Sequence, residues 1–421
     1  MKIAILGSGG REHALALSIH NSKKTQKIYC LPGNAGTAYI AENININLDD
    51  FDLIYDFVKK KDINLVIVGP EKPLVNGIVD FLEKKNVLVF GPKKKSAQLE
   101  GSKIFTKKIC EKYKIPTAKF GIFESQKLAN DFVKKTQMPT VIKADGLASG
   151  KGVYICNDLL QCQDAIKEIF NGKFGIAKNV LIEEFLEGEE MSFFIISDGK
   201  NFKFFQTAQD HKRVGEGDTG KNTGGMGAYS PSNIINNDLY EKIINQIIKP
   251  TLVAIKDLEE DYTGFLYAGL MVKNGNPYLI EYNVRMGDPE CQTILPLLKS
   301  DFLDLIIACK KEELDSFDIK WKDMKSMCVV LCANGYPDDY KKNIEIKNIS
   351  NLKMKSDNFL FHAGTTITEK KIFSIGGRVL NFVSIDVDLN NARKKILNQI
   401  NELNWNEGFF RRDIGFKAID N

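Results

Sequence analysis

At 421 residues, 43% hydrophobic and 27% charged, the chain has the balance of an ordinary globular protein, with room for about three domains of ~150 residues. A net charge of +4, from 58 basic against 54 acidic residues, is too even to indicate a nucleic-acid or membrane partner. No apolar run reaches the ~18–20 residues of a membrane span, the N-terminus lacks a signal-peptide core, and the eight cysteines form no CxxC pair, so a reduced cytoplasm is expected.

Residues 1–92 alternate β-rich runs (2–6, 27–31, 64–69 and 87–91) with segments of helical spacing (11–20, 49–61 and 74–85). That alternation predicts a parallel sheet with helices on its faces. The stretch 91–103 reads as a turn and a boundary. Further strands are expected at 140–144 and 179–186, and a long polar, Gly-rich loop at 209–230. A helix over about 238–258 and two long strands, 264–272 and 276–284, follow; a tight KNGN turn joins the strands. The tail from about Met324, with several strands and a helix at 388–403, reads as a small α+β domain.

Only seven of the basic residues are Arg, which points to Arg being used where a planar, bidentate fork is needed. Arg11, Arg213, Arg285 and Arg378 sit in Gly- or acid-rich clusters, as do His13, His211 and His362.

Five clusters carry chemistry. GSGGREH (7–13) is a Gly-rich strand-to-helix turn of the kind that admits phosphate. A dinucleotide fingerprint would need Gly where Glu12 stands, and an acid at the end of the second strand, which ends in Cys30-Leu31-Pro32-Gly33. ADGLASGKG (144–152) follows a strand bearing Lys143; Gly146, Gly150, Lys151 and Gly152 form a lid suited to a triphosphate. Its spacing is one residue short of a P-loop. IEEFLEGEE (182–190) crowds five carboxylates at a strand end, which taken alone is most often a solvated turn. In IEYNVR (280–285), strand alternation puts Glu281, Asn283 and Arg285 on one face, a donor set suited to a Mg-phosphate. The long loop opens with Asp210, His211, Lys212 and Arg213, an array for a small charged substrate.

Taken in order, Lys103, Lys143 with its Gly loop, the 183–190 hinge and Glu281-x-Asn283-x-Arg285 resemble the ATP-grasp fold. GSGGREHA, PGNAGT, VGPEKPLV, QLEGSK, IKADGLASGKGV, QDHKRVGEGDTGKNTGGMGAYSP, IEYNVRMGDPE, FHAGT and GGRVL resemble the phosphoribosylamine–glycine ligase family over about residues 1–417. The resemblance implies an α/β and α+β multidomain fold. Its parts would be an N-terminal parallel-sheet α/β domain (1–101), a two-lobed ATP-grasp unit (102–310, mobile small lobe about 120–187) and a small C-terminal α+β domain (324–421). It further implies a monomer with small-molecule substrates (ATP, glycine and 5-phosphoribosylamine), no nucleic acid and no membrane.

Site roles follow from the same resemblance. Arg285, Asp210 and Lys143 would be catalytic, Arg285 at the acyl phosphate and Asp210 at the glycine ammonium. ATP would lie against Lys103, Lys143, Gly146, Ser149, Gly150, Lys151 and Gly152, with Glu183, Phe185 and Leu186 along adenine and Glu190 at the ribose. Glu281 and Asn283 would hold Mg2+ (or Mn2+). Gly9, Gly10, Arg11, Glu12, Asn34, Glu71, Lys212, Asp288 and Arg378 would bound the acceptor substrate. The preceding strand, Ala268-Gly269-Leu270-Met271, lacks the second acidic metal ligand of many ATP-grasp members, which leaves the number of ions open. Two other readings compete: an ATP-grasp ligase for a different small carboxylate, and a non-catalytic nucleotide-binding module or dehydrogenase.

Overall fold

A computed structural model describes residues 1–147, 152–175 and 178–419. In the N-terminal hundred residues the four β-rich runs become parallel strands, and Glu42–Asn43, which was not expected, adds a fifth at the edge. Their order is Glu42–Asn43, Lys27–Pro32, Lys2–Gly7, Leu65–Val68, Val89–Phe90. Ile3, Ile5, Leu65 and Ile67 on one face and Ala4, Leu6, Val66 and Val68 on the other are all buried, as a sheet covered on both faces requires. Two local expectations are corrected. The helix expected at 74–85 is two, Glu71–Asn76 and Ile78–Glu83, separated by Gly77 at φ 95°, a conformation that favours glycine. The expected turn at 91–103 contains the helix Lys94–Gly101. Ser102 then caps the next helix, Lys103–Tyr113, its Oγ accepting from Phe105 N at 3.1 Å.

A four-stranded antiparallel sheet follows, in the order Phe120–Phe123, Val180–Glu184, Thr140–Ala144, Val153–Cys156. With the helices Gln126–Val133 and Leu159–Phe170 it closes a hydrophobic core of its own around Ile142, Ile166 and Ile182.

The long strands Asn276–Asn283, Thr263–Lys273, Glu189–Asp198 and Phe202–Asp210 form one edge of a larger antiparallel sheet. Gly227–Ser230 bridges it to Lys325–Ala333, Arg378–Asp386 and Asn358–His362. The C-terminal segment therefore extends the central antiparallel sheet rather than closing a main sheet apart from it. Its separate part is a three-stranded sheet, Ile344–Glu345, Lys371–Ser374 and Thr365–Thr368. The helix expected at about 238–258 contains a π turn, Ile244–Ile248, just before Pro250, which has no N–H to donate to the preceding turn.

The loop expected at 209–230 is also corrected. Strand Phe202–Asp210 continues into it, and Arg213–Gly215 pairs with Thr219–Asn222 as a hairpin. Its tip is anchored from the far end of the chain: Arg411 Nη1 and Lys417 Nζ reach Asp218 at 2.8 and 2.7 Å, and Gly217 N donates to Asp413 at 2.8 Å. No local pattern reports such contacts.

The N- and C-terminal parts meet at two buried histidines, where His13 Nδ1 accepts from His362 N at 2.9 Å. Burial, with His362 adding to it for His13, pushes their pKa values down to about 3 (His13) and about 4 (His362). Both values lie below the ordinary 6.5, so the unfolded chain binds more protons as pH falls. The stability these two rings contribute is complete above about pH 6.5 and is lost toward the folded values, by about 1.4 kcal/mol per pH unit per histidine. The imidazole NMR signals of His13 and His362 are expected to hold the neutral shift down to about pH 5, since the folded values lie at about 3 and about 4. Titration of either ring near its ordinary 6.5 would contradict the neutral, buried assignment.

Candidate active site

The small four-stranded sheet, the large sheet and the N-terminal unit face one another across a cleft of about 850 Å³, a volume suited to a nucleotide and a small substrate together. On the small-sheet side, Lys143 stands on Thr140–Ala144, and its Nζ lies 2.9 Å from Glu183 Oε2 on the adjacent strand. Lys107, one helical turn beyond Lys103, approaches Glu183 Oε1 at 3.2 Å. Burial alone would raise the Glu183 pKa, but the two lysines outweigh it and hold the carboxyl below its usual range. Burial lowers the pKa of Lys103 and Lys107. Three lysines against one carboxylate leave a net positive wall, which favours a polyanion.

Lys103 Nζ donates to Gly146 O at 2.9 Å. Asp145 fixes the root of the Gly loop by accepting from Ser102 Oγ at 3.0 Å and Ile104 N at 3.2 Å. Gly146 and Gly152 line the cleft, as do Phe185 and Leu186 on the link between the two sheets. Ser149, Gly150 and Lys151 lie outside the described residues.

Opposite, Glu281, Asn283 and Arg285 all line the same cleft; alternation along Asn276–Asn283 accounts for the first two, whereas Arg285, expected on the same strand, lies past its end. Burial works against ionisation of Glu281, yet Lys212, Lys143 and Lys103 together hold its pKa below the usual value. Lys212 lies 3.9 Å from Glu281 Oε1 and 3.0 Å from Glu190 Oε2, so Glu190 is here ion-paired at the mouth of the cleft. Asp210 also faces the cleft; its Oδ1 is buried without a hydrogen-bond partner. Burial first, then the neighbouring Glu290, pushes its pKa well above the carboxylate range. The buried Oδ1 lacks a hydrogen-bond donor, and a cation placed there would favour the carboxylate again.

Arg285 is held between two carboxylates, Glu71 Oε2 at 3.3 Å and Glu100, which contacts Nη2. Glu100 also accepts from Val284 N at 2.8 Å. The two carboxylates differ. Glu71 is drawn down to about 2, Arg285 and Arg11 overcoming its burial, whereas burial carries Glu100 up to about 7 despite Arg285. Beyond them, Asp288 ties three segments together. It accepts from Gln292 Nε2 at 2.8 Å and from Arg11 N at 3.4 Å, and pairs with Arg378 at 3.3 Å. Arg378 Nη1 also donates to Gly224 O, at 2.6 Å.

Arg11, Glu71, Lys212, Asp288 and Arg378 thus share the cleft, while Gly9, Gly10, Glu12 and Asn34 are not among the described residues that line it. Glu12 folds back to accept from Gly9 N at 2.6 Å and from Arg11 Nε at 2.6 Å. A Cβ on Gly69 would lie 2.2 Å from its Oε1, so the glycines make room for this carboxylate. It occupies the donor a dinucleotide phosphate would need, which argues against the dehydrogenase reading. Asn34 is internal too, its Nδ2 donating to Ser8 O at 2.9 Å and His362 O at 2.8 Å. His211 is buried against Tyr229 and Phe416, its Nε2 accepting from Gly415 N at 3.1 Å.

Sequence reasoning missed Glu100, Lys107, Asp145 and Glu290. Asp145 carried a signal, as the acid beside the Gly loop; the other three are marked only by partners distant in sequence.

Comparison with known proteins shows the family of the chain. Residues 1–100, 101–291 and 326–417 match the N domain, ATP-grasp (A) domain and C domain of phosphoribosylglycinamide synthetase. The phosphoribosylamine–glycine ligases of Brucella melitensis and Agrobacterium fabrum are each 44% identical, over 421 and 420 residues, covering 100% of this chain and 99% of theirs. The crystal structure of the Thermotoga maritima ligase superposes with a TM-score of 0.86 at 33% identity, over 98% of this chain and all of that one. Biotin carboxylase from Campylobacter jejuni (TM-score 0.73, 15% identity, 100% and 95% coverage) shares the fold alone. The chain belongs to the phosphoribosylamine–glycine ligase family.

Proposed function

We propose that the protein joins glycine to 5-phosphoribosylamine with cleavage of ATP, giving glycinamide ribonucleotide, ADP and phosphate through glycyl phosphate. One observation carries this reading: Lys143 and Lys103 from one side, and Glu281, Asn283 and Arg285 from the other, share a single nucleotide-sized cleft. The lysines bind the triphosphate, and the Phe185–Leu186 link lies along adenine. Asp210 takes the glycine ammonium, placing the glycine carboxylate for attack on the γ-phosphorus. Arg285 neutralises charge on the transferring phosphoryl group. The 5-phosphoribosylamine amine then displaces phosphate, with Arg11, Asp288 and Arg378 bounding the sugar. Lys212 keeps its positive charge at this boundary; burial works against it, but Glu190, Tyr267 and Glu281 raise its pKa well above the usual value. The protein acts as a monomer in the cytoplasm. Among the described residues no helix is long and apolar enough to cross a membrane, and all eight cysteines are free.

Magnesium fits the Glu281–Asn283 pair. An ionised carboxylate and an amide oxygen two residues apart on one strand are the one or two protein oxygens such an ion takes. Among the described residues no cluster of three or more His, Cys, Asp or Glu forms a metal cage. When bound, the ion neutralises phosphate oxygens; Glu281 and Asn283 orient that charge. Glu281→Ala is expected to raise the magnesium concentration at half-maximal rate by about tenfold or more. An unchanged titration would remove Glu281 from this role.

The function is tested by ADP formation with Mg-ATP, glycine and freshly generated 5-phosphoribosylamine, omitting each in turn. Full turnover only with all three supports it; equal turnover with another small carboxylate in place of glycine would favour the alternative ligase.

A further inference from the structure

Arg285 needs one carboxylate to balance its charge, and the fold supplies two. Glu71 comes from the N-terminal unit and Glu100 from the helix that joins that unit to the ATP-grasp lobes. Both line the cleft, and the Glu100 side chain is only 8% exposed. Resting on the proposed function, we infer that Glu100 is the proton acceptor of the second half-reaction. In that step the acceptor amine attacks the carbonyl carbon of glycyl phosphate and the C–N bond forms. The C–O bond to phosphate breaks and its electron pair leaves with phosphate. The proton shed by nitrogen passes to the Glu100 carboxylate, and from there to water once product departs.

Three observations support the assignment. Glu100 lines the cleft and touches the Arg285 guanidinium, which the proposed function sets at the acyl phosphate. Its carboxylate is anchored by Val284 N at 2.8 Å, which fixes its position without protonating it. The groups facing it are Arg285, Glu71, Arg11 and the phenol of Tyr262, and they divide labour. Glu71 stays ionised and keeps Arg285 in place, while Glu100 is brought to about 7, where a carboxylate can both take and return a proton. Two carboxyls driven apart by their surroundings are the arrangement that separates a fixed charge from a proton carrier.

The test separates the half-reactions. Glycine-dependent scrambling of 18O from the β,γ-bridge of ATP reports glycyl phosphate formation; amide production reports both steps. With Glu100→Gln, scrambling is expected to persist within about threefold while ligation falls by about 10²-fold or more. Glu100→Asp is expected to restore part of the ligation. In the unaltered enzyme, ligation should weaken as pH falls through about 7 while scrambling stays level. The Gln variant should lack that acid limb. Parallel loss of both activities would make Glu100 a positioning residue for Arg285 only, and near-normal ligation would remove it from the reaction; either result overturns the proposal. Failure of the underlying function would show differently, as no glycine-dependent scrambling in the unaltered enzyme.

Discussion

Replacing Arg285 by Ala is expected to lower kcat by about 10²–10³ while the KM for ATP stays within a few-fold, the loss seen when one preorganised charge-stabilising donor is removed. The guanidinium lines the cleft beside Glu281 and Asn283, but its partners are Glu71 and Glu100, not the lysines of the phosphate wall. Its removal therefore touches transfer more than nucleotide binding. It also leaves a buried carboxylate unpaired. Glu71 keeps Arg11 at 3.8 Å, whereas Glu100 loses the only ion pair formed by its side chain among the described residues. A drop in thermal stability should accompany the kinetic defect, and saturating ATP with glycine should not restore the rate. A kcat within a few-fold of the unaltered enzyme would take Arg285 out of the chemical step.

Lys143→Met should give the opposite signature. Lys143 Nζ is buried and sits on Glu183 at 2.9 Å, so the change removes one positive charge from the phosphate wall and one of the two ion pairs on Glu183. Lys107 still neutralises Glu183 at 3.2 Å, which limits the cost to folding. The KM for ATP is expected to rise and kcat/KM for ATP to fall by about 10²–10³, with glycine affinity little changed. Isothermal titration with a non-hydrolysable ATP analogue checks this directly. Unaltered analogue affinity would show that Lys143 serves Glu183 and the fold, not the nucleotide.

Much of the architecture was legible because its signals are local. Parallel strands with both faces covered read as apolar runs, and the Lys273–Asn276 turn announces the long hairpin. Alternation along Asn276–Asn283 was enough to gather Glu281 and Asn283 on the cleft, with Arg285 beyond the strand end. What escaped depends on distance. The Arg213–Asn222 hairpin reads as loop because its anchors, Arg411 and Asp413, lie near the other end of the chain. Glu100 was visible within QLEGSK, yet its role comes from Arg285, 185 positions away. Gly9, Gly10 and Glu12 carried the opposite risk: a Gly-rich turn suggests an open phosphate cradle until Glu12 is seen to fill it. The continuous sheet through Gly227–Ser230 and Lys325–Ala333 could not be read from either strand alone, since each is a plausible edge.

In the proposed reaction one nucleotide is held from two sides of the cleft. A crystal structure of the protein with magnesium and a non-hydrolysable ATP analogue tests that most directly. The expected result is a polyphosphate between Lys143 and Lys103 on one side and Glu281 and Asn283 on the other, with adenine along Phe185 and Leu186. An analogue bound at the Gly7–Gly10 turn, or touching only one of the two sides, would contradict it.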